Sequence, residues 1–161
     1  MLPLLAAVAL AAAPGSDLED EPPAEEEPRA RVALALWGGG ATLLDPGRGM
    51  SPFVGAEVGW LFSESALSLL WEQHRYGVGQ ASRTWTQVAV LRLEQHFETR
   101  RGAEGTMTFG LGAGRPDRSW TLWYQFAVGF RLVGDPFFLK GEIGFERANY
   151  VRLAASLGAV F

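Results

Sequence analysis

The chain closes on 150-YVRLAASLGAVF-161, and the spacing inside these twelve residues decides the fold. Val151, Leu153, Ala155, Leu157, Ala159 and Phe161 are apolar at every second position, while Arg152, Ala154, Ser156 and Gly158 between them are charged or small. A period of two is the period of a β-strand. Terminal residues of water-soluble domains usually fray. A strand pattern that runs to a bulky aromatic at the last position therefore predicts a partner strand and an apolar surrounding there.

Working back from this segment, the same alternation recurs to Arg31. Eight segments stand out, 30–40, 52–62, 66–77, 83–98, 105–114, 119–133, 136–147 and 150–161, separated by Gly, Pro, Asp, Asn and Ser. The connections "FSES", "RRGAEG" and "VGDP" are compact, whereas "ATLLDPGRGMS" and "GVGQAS" are looser. No helix-period segment of useful length interrupts them. The prediction is an all-β chain folded as an eight-stranded antiparallel up-and-down β-barrel.

Setting each phase by its apolar residues alone puts Leu34 and Leu36, Val58, Leu69, Leu91, Phe109, Phe126, Ile143 and Leu157 on one face. Eleven charged residues then fall on the other: Arg31, Glu57, Glu72, Arg92, Glu94, Glu98, Arg131, Lys140, Glu142, Glu146 and Arg152. His74 and His96 share that charged phase. Charges reach the apolar face only at strand ends, at Arg75 and Arg147. A soluble barrel buries its apolar face, while a membrane barrel turns it to lipid and keeps a polar lumen. Two features select the second arrangement. The charged face is crowded with Gly, Ala, Ser and Thr, which a narrow eight-stranded interior requires and a solvated surface does not. Its six acids and five bases nearly cancel, as a dehydrated interior demands.

With the N-terminus in the periplasm, odd strands ascend and even strands descend. Trp60, Phe62, Phe97, Phe130, Phe137 and Phe161 then gather at the lower interface, and Trp85, Trp120, Tyr124 and Phe145 at the upper, the pattern of two aromatic girdles. The short turns fall on the lower side. The N-terminal run "MLPLLAAVALAAA" reads as a signal peptide over residues 1–13, with cleavage near Ala11 to Ala13. It is too short to cross a bilayer, which takes about 20 residues. Residues 14–29 read as an acidic, Pro-rich, solvated linker holding seven of the 18 acids and, at its end, Arg29, so the remaining 11 acids face 13 of the 14 bases in the barrel segment. That scattered balance excludes a nucleic-acid footprint. The absence of cysteine excludes disulfides and Cys-ligated metals.

Eight alternating strands, an export signal and a terminal strand ending in Phe resemble the small OmpA/OmpX-type outer-membrane β-barrels of Gram-negative bacteria. The resemblance implies location in the bacterial outer membrane and contact with its lipid and lipopolysaccharide. It also implies recognition by the barrel-assembly machinery through Val151, Leu153, Leu157 and Phe161.

Signals for chemistry are sparse. "EQH" occurs twice, in "WEQHRYG" and "LEQHFET", and a shared metal site would need His74 and His96 together. Strand directions separate them by about ten residues, roughly 30 Å at ~3.4 Å per residue. No metal or cofactor is expected, and each His is assigned to the charged lumen network. Some eight-stranded outer-membrane proteins modify lipid A, so an acyl hydrolase or transferase is the alternative enzymatic reading. No His follows His96, however, and neither Ser82 nor Ser119 has a His on a facing loop. A lipocalin-like soluble barrel holding an apolar ligand is the other alternative. "LWGGG" and "GLGAG" lack the helix that a phosphate or dinucleotide loop must open. The reading favoured is a monomeric, non-enzymatic barrel with a plugged lumen and a structural or surface-interaction role. Leu43, Leu44, Asp45, Arg48, Arg115, Asp117 and Arg118 are the exposed loop candidates for a surface partner.

Overall fold

The computed structural model describes residues 31–43, 50–76, 84–100, 102–116, 119–147 and 150–161. The signal-peptide and linker assignments fall outside them, as do Leu44, Asp45, Arg48, Ser82, Asp117 and Arg118.

Eight strands follow in order: β1 Arg31–Leu43, β2 Ser51–Leu61, β3 Ser65–Tyr76, β4 Thr84–Arg100, β5 Ala103–Arg115, β6 Thr121–Val133, β7 Phe137–Glu146 and β8 Tyr150–Val160. Each pairs antiparallel with the next, and β1 pairs with β8 to close the barrel. Closure runs to the final residue. The Val32 N–H donates to the Phe161 carbonyl at 3.1 Å, and the Phe161 N–H returns a bond to the Val32 carbonyl at 2.8 Å. The alternating terminal segment is thus the closing strand, and no edge is left open at the seam.

Strand ends shift by one to three residues from the sequence reading, and two of the shifts change what faces the interior. β1 continues three residues further, because Ala41, Thr42 and Leu43 pair with Arg152, Val151 and Tyr150. The run of small residues keeps the strand going where it suggested a loop, with Ala41 buried against the interior. The β4–β5 turn is also tighter than "RRGAEG". Gly102, at φ +81°, takes the left-handed position that glycine tolerates, and Ala103, Glu104 and Gly105 already belong to β5.

The two faces separate inside out. Leu91, Phe126 and Ile143 are 53%, 45% and 53% exposed, whereas Glu94, Lys140 and Arg152 are buried. A water-soluble carrier is excluded by that partition, since its interior would have to be apolar. Among the described residues no helix is long and apolar enough to cross a membrane. All ten aromatics assigned to the interfaces are exposed. Trp60 lies opposite Val32 and Phe137 opposite Ala159, at the end that carries the termini, while Trp85 lies opposite Arg75 and Phe145 opposite Val151, toward the far end.

Inward glycines let the wall pack tightly. A Cβ at Gly112 would come within 1.9 Å of the Ala89 carbonyl, and one at Gly144 within 2.0 Å of the Phe126 carbonyl. Neither position admits a side chain without moving backbone.

Leu91→Arg tests the partition directly. On a lipid-facing wall a charge near mid-strand costs about 2–4 kcal/mol, whereas on a solvated surface it is nearly neutral. Urea unfolding of the barrel in vesicles should show the larger cost.

Candidate functional site

The interior is built from alternate positions of the strands, so its chemistry follows from which side chains share the charged phase. Arg152 on β8 reaches across to Glu72 on β3. Its Nη2 lies 2.6 Å from Glu72 Oε1 and its Nη1 2.9 Å from Oε2. The same guanidinium meets Glu142 through Nε at 2.9 Å and Glu146 through Nη1 at 3.5 Å. Arg92 on β4 donates to Glu142 on β7 at 2.5 Å and approaches Glu57 at 3.5 Å. Lys140 bonds Glu94 and lies 3.4 Å from Glu142. Nearer the terminal end, Arg131 holds Glu104 at 2.6 Å. The Arg152–Glu72, Arg92–Glu142 and Lys140–Glu94 bonds join strands three apart around the wall, β8 to β3 and β7 to β4, so they bridge the lumen and do not merely decorate one side.

Aromatic rings fill the spaces between them. Trp37 is buried with the guanidinium of Arg92 4.8 Å from its centroid, Lys140 at 5.0 Å and Arg152 at 5.7 Å. Its indole N–H donates to Glu57 at 2.6 Å. The ring faces thereby solvate cations that have left water. Phe53 does the same for Arg152 at 4.3 Å and stacks on His74 at 4.8 Å. Trp123 meets the His74 ring edge at 5.5 Å.

The two histidines are held apart. His74 is opposite Thr86, and His96 sits ten residues further along β4, opposite Thr106. His74 Nε2 lies 3.0 Å from Glu72 and its Nδ1 3.5 Å from Glu146. His96 Nε2 lies 3.0 Å from Glu94, while its Nδ1 accepts from Arg131 at 3.3 Å. They share no ion. Ligand atoms of Glu72, His74 and Glu146 do come within 4.8 Å of one another, a spacing compatible with one cation. The Arg152 guanidinium already sits on both of those carboxylates and supplies the positive charge that a metal would bring.

The sequence-assigned network is gathered here at Glu57, Glu72, His74, Arg92, Glu94, His96, Arg131, Lys140, Glu142, Glu146 and Arg152. Arg31 has the inward phase but is exposed at the mouth beside Leu61 and Phe62, because its strand begins there. Glu98 pairs opposite Glu104 in the ladder, and its side chain is outside the described ones. Glu104 is an addition, placed in the lumen by the tighter β4–β5 turn. The near-cancelling tally is corrected accordingly. Among the described ion pairs, six glutamates meet four Arg or Lys side chains, and each histidine abuts glutamate. Trp37, Phe53, Trp123 and Phe138 are further interior residues that the sequence reading did not assign. Their signal was available, since each has the phase of the charges on its own strand. Of the assigned assembly residues, Leu153, Leu157 and Phe161 face outward and Val151 is half-buried.

No family model matches this chain, and no curated protein matches it. Solved structures do share the architecture. The crystal structure of Neisserial surface protein A aligns with TM-score 0.67 at 10% identity, covering 82% of this chain and 97% of that one. A de novo designed transmembrane β-barrel aligns with TM-score 0.53 at 11% identity, covering 80% and 95%. A second designed barrel, solved by solution NMR, gives TM-score 0.52 at 13% identity over 84% and 96%. At these identities the likeness is one of fold.

Arg152→Met removes the partner of three buried carboxylates, Glu72, Glu142 and Glu146, and should cost about 3–5 kcal/mol. Adding Glu72→Leu should restore part of that loss, because a buried pair is costlier broken than replaced. Urea midpoints of the two variants against the wild type measure both effects.

Proposed function

We propose that this chain is an outer-membrane β-barrel with a plugged lumen, serving a structural or surface-interaction role in the cell envelope of a Gram-negative bacterium. The observation that carries the reading is the inside-out partition. Leucine and phenylalanine cover the wall while Arg92, Lys140 and Arg152 fill the axis. Such a surface is stable only in lipid, and a closed barrel is one of two architectures that lipid accepts. Among bacterial membranes, the outer one is the usual host of barrels this small. Export through residues 1–13, assembly through Val151, Leu153, Leu157 and Phe161, and contact with lipopolysaccharide complete the proposal.

Conduction is disfavoured by the bridging pairs, which leave no continuous aqueous path. Acyl transfer finds no support in the interior either. Nucleophilic chemistry needs a hydroxyl activated by a base, yet the buried hydroxyls of Ser68 and Thr108 donate to Glu57 and Glu94, and the two imidazoles lie against Glu72 and Glu94. The role that remains is structural or surface-interacting, carried by a cylinder whose walls are tied together by its interior pairs.

Fractionation and gel mobility test this reading. The protein should remain in carbonate-washed outer membranes and migrate differently in unheated and boiled samples. In planar bilayers it should give no steady conductance. A soluble periplasmic species without a mobility shift would overturn the assignment.

A further inference from the structure

In the half of the lumen nearer the termini, one side of the inner wall carries small side chains. Ala33 on β1 lies opposite Gly59 on β2, and Gly59 lies opposite Ser68 on β3. Ala66 stands one inward step closer to the termini than Ser68. Long side chains reach toward them, Arg131 from β6 and Phe138 and Lys140 from β7, but they do not fill the space. A cavity of about 40 Å³ remains between the two sides.

The lining of that cavity is polar where it is deepest. Glu57, Ser68, Glu94, Arg131 and Lys140 all border it. The carboxylates accept, the ammonium and the guanidinium donate, and the hydroxyl does both. Next to it, Arg92 is buried with Nη1 3.5 Å from Glu57 Oε2. Neither that nitrogen nor Nε of Arg92 has a hydrogen bond among the described residues. Internal cavities that stay dry are apolar, whereas a polar one fills if it is large enough. One water takes roughly 10–15 Å³ of such space, so about three fit here.

A route inward is also present. Leu61, Arg131 and Phe138 line both this cavity and a wider opening of about 290 Å³, which extends to Arg31 and Ser63 at the terminal mouth. We infer that the cavity is a water-binding site filled from that mouth, with Glu57, Ser68, Glu94, Lys140 and Arg131 as its hydrogen-bonding partners. The ligand is neutral because acids and bases share the lining: an anion would meet Glu57 and Glu94, and a cation Lys140 and Arg131. The site brings solvent to Glu94, the carboxylate on which both Lys140 and the His96 ring rest. Protons of this part of the network therefore exchange with the compartment on the terminal side.

Water-edited solid-state NMR of the full chain, refolded into phosphatidylcholine vesicles, tests the site. Magnetisation should pass from water to the Ala33 and Ala66 methyl groups. At the same mixing time it should not reach Val90, which is fully buried against Val88 and Trp123. Exchange at the Ser68 hydroxyl or the Lys140 ammonium also carries such signal, so filled variants separate the two sources. Ala66→Leu occupies the space while keeping both exchangeable groups, and should abolish transfer to Ala33. Ala33→Val fills it from β1 and should abolish transfer to Ala66, which serves if the leucine is not accommodated. A wild type without transfer to either methyl, equal transfer to Val90, or transfer undiminished in the filled variants overturns the inference. The measurement reads the interior alone, so the outer-membrane reading stands or falls separately, on fractionation.

Discussion

Every backbone amide of a lipid-embedded strand must find a partner in protein, because the hydrocarbon offers none. That constraint sets the rest of the structure. It forbids a free edge, so β8 must return to β1, and the ladder continues as far as the reciprocal bonds between Val32 and Phe161. Closing eight strands fixes a narrow cylinder, just wide enough for side chains to fill it. Inward glycines such as Gly112 and Gly144 then become necessary because neighbouring backbone occupies the space of a Cβ.

The contents of that cylinder follow from what its outside gives up. With the apolar residues committed to the wall surface, the interior is left with charges, which lose several kcal/mol each on leaving water unless paired. Arg152 shows how the loss is met: four donor contacts to three carboxylates, with the face of Phe53 beneath the guanidinium. Trp37 performs the corresponding service for Arg92 and Lys140. Bridges between strands three apart bind opposite walls together, so the ion pairs act as tie-rods as well as counterions.

Much of this was legible in the sequence because a period of two leaves no ambiguity about which residues share a side. Once Leu91 and Leu93 are placed outward, Arg92 and Glu94 have nowhere to go but in. Polarity alone was a poorer guide than phase. Trp37, Phe53, Trp123 and Phe138 look like membrane-facing residues by type, yet each stands in step with inward charges, and the structure buries all four. Ends of strands were the weakest ground. Arg31 keeps the inward phase but sits where the wall stops, and Glu104 entered the lumen only because the β4–β5 turn closes at Gly102. Phase is a property of one chain segment, whereas depth along the axis depends on register among eight.

The two halves of the interior are not equivalent, and the difference bears on what the barrel can do. Toward the far end, Arg152, His74, Glu72 and Trp123 are all fully buried, and aromatic rings pack between them. Toward the terminal end the wall narrows its side chains to Ala33, Gly59, Ala66 and Ser68, which line a small cavity beneath Lys140 and Glu94. Glu104 there is partly exposed, and Arg131 hangs from it close to the mouth. Dense packing at one end and a small cavity at the other make the described interior one-sided. Solvent can approach the His96 end of the network from the side of the termini, while His74 stays behind Phe53 and Trp123. With six glutamates drawn against four arginine and lysine side chains, the histidine N–H groups complete the interior's complement of donors to carboxylate. The densely packed end therefore depends on the Arg152 cluster for its cohesion, and the open end on solvent as well as on Arg131.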